Sequence, residues 1–153
     1  YDDDNVSYTI TVDPSSSIAS YNTMTSSTVT GSNIDNDTAA ITVGAKSGNT
    51  SEFGTTATIN VTLATIPTAN VSIVVTDNDS TEVSITPTTL TITPSTWNTT
   101  NQVTLTGQDD SDNDGNITFR ISFDNATSTD SKYNGMAPSP AYVDVINVDD
   151  YAD

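Results

Sequence analysis

The side chains of this sequence that could do chemistry are carboxylates, and they occur in clusters. The aspartates concentrate in five places: residues 2–4, Asp35 with Asp37, Asp77 with Asp79, residues 109–114, and Asp149 with Asp150. Two carboxylates about 4 Å apart repel each other by roughly 1 kcal/mol in bulk water and by about 4 kcal/mol at an effective dielectric of 20. Several such groups therefore need a cation if they converge. Solvated acidic loops on a highly soluble protein are the alternative interpretation.

Other kinds of chemistry are excluded by composition. The chain has no histidine and no cysteine, which removes imidazole acid–base catalysis, thiolate nucleophiles and Cys/His zinc sites. Paired carboxylates can hydrolyse glycosides, but here every acidic pair lies among turn residues, and no pocket that would raise a pKa is indicated. We therefore expect a protein that is not an enzyme.

The charge of the chain limits its partners. The formal net charge is −17, and Lys46, Arg120 and Lys132 are the basic side chains. Nucleic acid and anionic membranes are poor partners for such a surface. No apolar run approaches the roughly 18 residues that cross a bilayer, so we expect no membrane insertion. A small secreted domain without disulfides needs another stabilising element, and a bound metal is a common one.

The residues between the acidic clusters have the pattern of short strands. Thr, Ser, Val, Ile and Asn dominate, and β-branched side chains favour a pleated surface. Alternating segments predict seven main strands that begin near residues 41, 56, 70, 89, 102, 117 and 142. Residues 83–85 are interpreted as a short excursion of the chain, which means that they are not counted as a main strand. The pattern predicts an all-β sandwich or barrel with almost no helix.

The alternation also predicts which side chains point inward. The expected core consists of Val61, Leu63, Ile73, Val75, Leu90, Ile92, Val103, Leu105, Phe119, Ile121 and Val145, with Trp97 covering one end. A second interpretation treats the larger aromatic residues as a carbohydrate-stacking platform formed by Trp97, Phe119, Phe123, Tyr133 and Tyr142.

Strand direction predicts where the acidic clusters lie. If consecutive strands are antiparallel, the first, third, fifth and seventh strands run the same way. Acidic residues follow each of these four strands: Glu52, then Asp77 and Asp79, then residues 109–114, then Asp149 and Asp150. The ends of the other strands are nearly free of acids. One pole of the sandwich is therefore predicted to be acidic, and calcium takes six to eight oxygen ligands of the kind these loops supply.

The loop at residues 110–115 has a pattern of its own. Asp110, Asp112 and Asp114 with Gly115 copy the first half of an EF-hand loop, D-x-D-x-D-G. The twelfth position is Ile121 where an EF-hand has glutamate, so a true EF-hand is excluded. Asp112 and Asp114 are nevertheless candidate calcium ligands, and so are Asp35 and Asp37 in the N-terminal part.

The chain contains an internal repeat. Residues 3–13 resemble residues 114–124, Tyr21-Asn22 matches Tyr133-Asn134, and residues 33–36 match residues 147–150, at offsets of 111 to 114. This period suits tandem sandwich domains. We interpret residues 1–37 as the C-terminal part of a preceding repeat with strands near 6–12 and 28–32. Residues 38–150 then form one complete repeat, and residues 151–153 begin a linker.

Two segments carry a family resemblance. Residues 51–63, SEFGTTATINVTL, resemble the opening of Calx-β-like domains, in which E-x-G precedes a strand. Residues 90–98 and 102–110 are similar to their central segment, and the Trp-Asn variant recurs in large bacterial surface adhesins. The resemblance implies a seven-stranded immunoglobulin-like antiparallel sandwich with calcium at one pole. The ligands it implies are Glu52, Asp109, Asp110, Asp149 and Asp150, with Asp79 added although the family's Gly-x-Asp-Tyr is missing here.

The function expected from the resemblance is structural or adhesive. We predict a calcium-binding repeat of a long extracellular surface protein or fibre, whose partners are neighbouring repeats or like subunits. One alternative is a glycan-binding or accessory module of a secreted enzyme, with surface glycans as the partner. Another is a self-assembling filament or sheath subunit.

Nine N-x-S/T sequons are candidate glycosylation sites. Their asparagines are Asn5, Asn36, Asn49, Asn60, Asn70, Asn78, Asn98, Asn116 and Asn125. A chain this rich in Asn, Ser and Thr also produces such sequons by composition alone.

Overall fold

A computed structural model describes residues 1–110 and 114–149. It divides into two compact units, one formed by Asp2–Asp37 and the other beginning at Thr38. Each unit has its own sheets. No helix in the described ranges has the length and apolarity needed to cross a membrane.

The smaller unit is a β-hairpin with a short helix in its connection. Its elements are β1 (Val6–Val12), α1 (Ala19–Asn22) and β2 (Ser27–Asn33). The two strands are antiparallel and pair from Val6 opposite Asn33 to Val12 opposite Ser27. The hairpin is exposed along the whole of β1. An isolated two-stranded sheet is at best marginally stable in water.

The larger unit contains two sheets. Its strands are β3 (Ile41–Val43), β4 (Thr50–Ser51), β5 (Thr56–Leu63), β6 (Val71–Asp77), β7 (Val83–Thr86), β8 (Thr89–Ile92), β9 (Asn101–Gly107), β10 (Ile117–Phe123) and β11 (Tyr142–Val148). One sheet has the order β4-β11-β10-β6-β8 and the other has the order β3-β5-β9-β7. Neighbouring strands are antiparallel except β4 and β11, which are parallel.

The seven predicted strand starts agree with β3, β5, β6, β8, β9, β10 and β11 to within one residue. Two parts of the strand prediction were wrong. Residues 83–85 are not an excursion, because β7 pairs with β9 along its whole length, from Val83 opposite Gly107 to Thr86 opposite Thr104. The two-residue strand β4 was not predicted either. Two residues are too short to show an alternating pattern, so only its pairing with β11 reveals it as a strand.

The core lies between the two sheets. All eleven side chains predicted to point inward are buried: Val61, Leu63, Ile73, Val75, Leu90, Ile92, Val103, Leu105, Phe119, Ile121 and Val145. Residues from both sheets belong to one hydrophobic cluster, and Trp97 packs against it while partly buried. The larger unit is therefore an all-β sandwich.

The aromatic residues do not form a carbohydrate-stacking platform. Phe119, Phe123 and Tyr133 are at most 4% exposed. The Tyr133 hydroxyl accepts a hydrogen bond from the Thr65 backbone N–H at 3.1 Å and donates one to the Thr65 carbonyl at 2.8 Å, which ties down the loop after β5. Tyr142 is exposed and lies under the Arg120 guanidinium. Four of the five aromatic residues are thus used in packing.

Candidate metal centre

Most of the described acidic residues of the sandwich lie at one pole, where strands of both sheets end. Gln108 directly follows β9, and its N–H donates to the carbonyl of Glu82, the residue just before β7, at 3.0 Å. The Asn147 amide, at the end of β11, donates to the Gln108 carbonyl at 3.1 Å. The N–H of Gly115, just before β10, donates to the Asp149 carboxylate at 2.9 Å. These bonds bring the loops of one pole into contact.

Three carboxylates converge at this pole. One oxygen each from Glu82, Asp110 and Asp114 lies within 4.8 Å of the others. Two oxygens bound to the same calcium ion are separated by at most about 5 Å, because each bond is 2.3–2.6 Å long. Glu82 is buried, Asp110 is partly buried and Asp114 is exposed. The group, which we call the acidic triad, therefore has the spacing of a metal site.

A buried amide holds Glu82 in place. Asn147 is 1% exposed, and its Nδ2 donates to Glu82 Oε2 at 3.1 Å as well as to the Gln108 carbonyl. No donor in the described residues reaches Asn147 Oδ1. This oxygen lies beside Gly107, where a Cβ would come within 2.6 Å of it. The Asn147 amide thus joins Glu82 of the triad to the Gln108 backbone through its Nδ2, while its Oδ1 faces Gly107.

The environment of Glu82 disfavours its charged form. Burial raises the pKa of its carboxyl, the hydrogen bond from Asn147 partly opposes this, and the charges of Asp114, Asp79 and Asp110 raise the pKa further. Desolvation and like charges both penalise an ionised carboxylate. A bound cation would offset both penalties, because its positive charge favours the ionised carboxylate.

The raised pKa of Glu82 predicts a pH effect on the metal-free protein. The folded state binds the Glu82 proton more tightly than the unfolded state does, so this group's contribution to stability is lost as the pH rises through its folded pKa. In calcium-free buffer, urea unfolding of Glu82→Gln should therefore show a smaller loss of stability between pH 4.5 and pH 7 than unfolding of the original protein. Asp124→Asn, at an exposed position, is the control. Equal pH slopes in all three proteins would contradict the prediction.

The structure brings several of the predicted ligands to this pole. Asp110 and Asp114 belong to the triad. Glu52 is 5% exposed, and its N–H donates to the Val148 carbonyl at 3.1 Å, so it lies at the end of β11. Asp109 is exposed. Asp112 and Asp150 lie outside the described residues.

Two further predicted ligands are engaged with backbone amides. Asp79 Oδ1 accepts from the Thr81 N–H at 3.3 Å and from the Thr81 hydroxyl at 2.6 Å, and Asp149 Oδ2 accepts from the Gly115 N–H at 2.9 Å. The Asp79 carbonyl also accepts from the Glu82 N–H at 3.3 Å. Both carboxylates shape the loops that carry the triad. They do not belong to the triad itself.

Asp35 and Asp37 belong to the smaller unit. Asp35 Oδ2 accepts from the backbone N–H groups of Asp3 and Asp4 at 3.0 and 2.9 Å, and Asp35 Oδ1 accepts from that of Asp37 at 2.9 Å. Among the described residues, the only group of three acids with metal-ligand spacing is the triad, so Asp35 and Asp37 are not part of one. Their role as ligands stays a prediction.

Glu82 is the site residue that the sequence interpretation missed. It was overlooked because residues 83–85 were interpreted as an excursion, which left the preceding residue without a place at the pole. As an antiparallel neighbour of β9, β7 begins where β9 ends. An isolated acid directly before a β-rich segment, three residues after Asp79, is the signal that could have identified it.

All nine sequon asparagines have exposed side chains. Two of these side chains accept hydrogen bonds from backbone N–H groups through Oδ1. Asn78 accepts from the Arg120 N–H at 2.5 Å, and Asn116 accepts from the Asp149 N–H at 3.1 Å. Glycosylation stays a prediction for all nine.

No protein-family model matches the chain, and neither the curated proteins nor the solved structures give a match. The all-β sandwich and the acidic triad therefore carry the functional argument by themselves.

Proposed function

We propose that this protein is a calcium-binding structural repeat of a long extracellular surface protein or fibre, with an immunoglobulin-like, Calx-β-like sandwich. The observation that carries the proposal is the convergence of Glu82, Asp110 and Asp114 within 4.8 Å at one pole. The buried position of Glu82 is what separates this group from ordinary solvated acids.

The ligand chemistry favours calcium over other metals. Carboxylates and carbonyls are hard oxygen donors that suit calcium and magnesium, whereas zinc prefers Cys and His, which the chain lacks. Magnesium requires near-ideal octahedral geometry at 2.0–2.1 Å and keeps several waters. A triad drawn from two loops, the one before β7 and the one between β9 and β10, suits the longer bonds and looser geometry of calcium.

The role of the ion would be to join loops of the sandwich. Glu82 precedes β7, Asp110 follows β9 and Asp114 precedes β10, so one ion would hold three strand ends from both sheets together. In a string of repeats, an ion at the pole would also stiffen the joint to the next repeat. This is a scaffolding role, in which the partners are neighbouring repeats or like subunits.

Calcium should raise the melting temperature of the sandwich. A ligand that binds only the folded state adds about 2.7 kcal/mol at a hundred times its Kd, which corresponds to roughly 10 °C for a domain of this size. Trp97 is the only tryptophan, and it packs against the core of the sandwich, so its fluorescence reports the melting of this unit. Scans in calcium, in magnesium and in chelator would measure the shift.

Substitution of the proposed ligands tests where calcium binds. Glu82→Gln and Asp110→Ala should weaken calcium affinity at least tenfold by titration calorimetry, and the resemblance predicts a loss for Glu52→Ala as well. Asp124→Ala is the matched control, since Asp124 is an exposed acid that follows the other end of β10. Melting curves that coincide with and without calcium would contradict the proposal. If Asp124→Ala weakened calcium affinity as much as the triad variants do, the calcium site would not be the triad.

The filament-subunit alternative has one observation in its favour, which is the exposed hairpin of the smaller unit. Its apolar side chains Val6, Tyr8, Ile10, Val12 and Val29 are 46–63% exposed. The glycan-binding alternative has no comparable support, because the aromatic residues that would stack on a sugar are mostly buried.

A further inference from the structure

The hairpin of the smaller unit has the same strand register as the hairpin β10–β11 of the sandwich. Both consist of two seven-residue strands. The cross-strand pair Val6–Asn33 corresponds to Ile117–Asn147, the pair Tyr8–Gly31 to Phe119–Val145, and the pair Ile10–Val29 to Ile121–Val143. A slip of one residue would exchange the two faces of a strand, so equal register means equal inward faces.

The open ends of the two hairpins have the same hydrogen bonds. In the smaller unit, the Asp4 N–H donates to Asp35 Oδ2 at 2.9 Å, and the Asp35 N–H donates to Asn5 Oδ1 at 2.8 Å. In the sandwich, the corresponding bonds are formed by Gly115, Asn116 and Asp149, at 2.9 and 3.1 Å. Asp4 has a φ of 61°, and its counterpart Gly115 has a φ of 76°. Asp4 therefore keeps a backbone conformation that favours glycine.

The connections between the strands also correspond. In the smaller unit, Asn22 Oδ1 accepts from the Ser16 N–H at 2.7 Å, and the Ser16 hydroxyl accepts from the Ile18 N–H at 3.1 Å. The same pattern in the sandwich is formed by Asn134, Ser128 and Asp130, at 3.2 and 3.0 Å. The two hairpins thus agree in three independent features, which are the strand register, the hydrogen bonds at the open end and the hydrogen bonds in the connection.

Burial is where the two hairpins differ. Phe119, Ile121 and Tyr133 are at most 1% exposed in the sandwich. Their counterparts Tyr8, Ile10 and Tyr21 are 52–56% exposed. The larger unit shows what covers such a face. β6 pairs with β10, β4 pairs with β11, and the sheet β3-β5-β9-β7 packs across the core.

We infer that the inward face of the smaller unit is covered by an incomplete sandwich of the same pattern as residues 38–107, carried directly ahead of Asp2 in the same polypeptide. A second copy of this chain fits less well, because its sandwich already contains its own β10–β11. The order of elements favours the same polypeptide, since β9 leads straight into β10 in the sandwich. This inference does not depend on calcium.

An extended chain tests the inference. A second copy of residues 38–113 replaces residues 1–2 and is joined directly to Asp3, so that Asp3 takes the place that Asp114 has in the sandwich. Amide hydrogen exchange of β1 and β2 is then compared in the extended and original chains. The expected result is at least hundredfold slower exchange of these amides in the extended chain, close to the rates in β10 and β11.

Controls separate the alternatives. Ile10→Asp, which places a charge on the inward face, should remove the gain in protection, whereas Thr9→Asp, on the other face of the same strand, should keep most of it. Equal exchange of the hairpin in both chains would overturn the inference. A concentration-dependent dimer of the original chain with protected hairpin amides would also overturn it, because a second copy would then be the cover.

Proteolysis keeps the inference testable if the extended chain does not fold. A brief digestion of the original chain with a non-specific protease should cut within residues 2–37 at least tenfold faster than within residues 38–149, as followed by mass spectrometry. Cleavage of both parts at the same rate would contradict an uncovered hairpin.

Discussion

Phe119→Ala is expected to lower the free energy of unfolding of the sandwich by about 3–5 kcal/mol. Phe119 is 1% exposed in the middle of β10, opposite Val145 of β11, and it belongs to the cluster formed by both sheets. Truncation removes its buried surface and leaves a cavity that the rigid sheets cannot close. Urea unfolding followed by Trp97 fluorescence, in calcium, measures the loss as a lower midpoint at an unchanged slope.

The control for this substitution is a second phenylalanine. Phe53 is 79% exposed in the turn after β4, so Phe53→Ala should change stability by no more than about 0.5 kcal/mol. A loss below about 1 kcal/mol for Phe119→Ala would mean that β10 is shifted by one residue, which would place Phe119 on the outer face.

Gly107→Ala is expected to cost about 3 kcal/mol, near the upper end of overpacking substitutions. Gly107 is the last residue of β9, and a Cβ built there would collide with the Ser51 carbonyl oxygen and lie 2.6 Å from Asn147 Oδ1. The carbonyl belongs to the backbone of β4, which is held by its pairing with β11. Relief of the contact therefore requires the strand or the buried amide to move.

Gly48→Ala provides the matched control. No atom lies within 4 Å of a Cβ at Gly48, so this alanine should be neutral or stabilising by up to about 1 kcal/mol. Both variants are measured by urea unfolding with Trp97 fluorescence. Equal stabilities for the two alanine variants would show that β4 does not pack over the end of β9.

The arrangement around Gly107 links stability to the metal centre. Asn147, whose Oδ1 faces Gly107, holds Glu82 through its Nδ2. A displaced Asn147 amide would disturb the triad as well as the strand. Gly107→Ala should therefore also weaken calcium binding.

Much of the sandwich could be predicted from sequence because side-chain alternation is a local property. In a strand, residues two apart share a face, so β-branched runs such as β5 and β9 show their buried side directly. This is why the predicted inward residues, from Val61 to Val145, are all buried. Strand parity extended the same reasoning to the pole, where the structure brings Asp110 and Asp114 together.

The features that escaped prediction depend on pairing between distant residues. β4 has two residues, and its partner β11 lies nearly a hundred residues later, at Asn147 opposite Thr50. The four residues of β7 are recognised as part of the sheet only through their pairing with β9. That pairing also places Glu82 beside Asp110. Asn147 gives no sign in the sequence that its amide will be buried and will hold a carboxylate.

The sequence by itself determined seven of the nine strands of the sandwich, the inward faces of those seven and the acidic character of one pole, because alternation is visible in neighbouring residues. The tertiary structure alone decided which carboxylates meet. Convergence within 4.8 Å depends on loops from three strand ends, and the hydrogen bonds that orient those loops join residues such as Asn147 and Glu82 that are 65 positions apart. Distances of this kind are set by packing of the two sheets, and no local pattern records them.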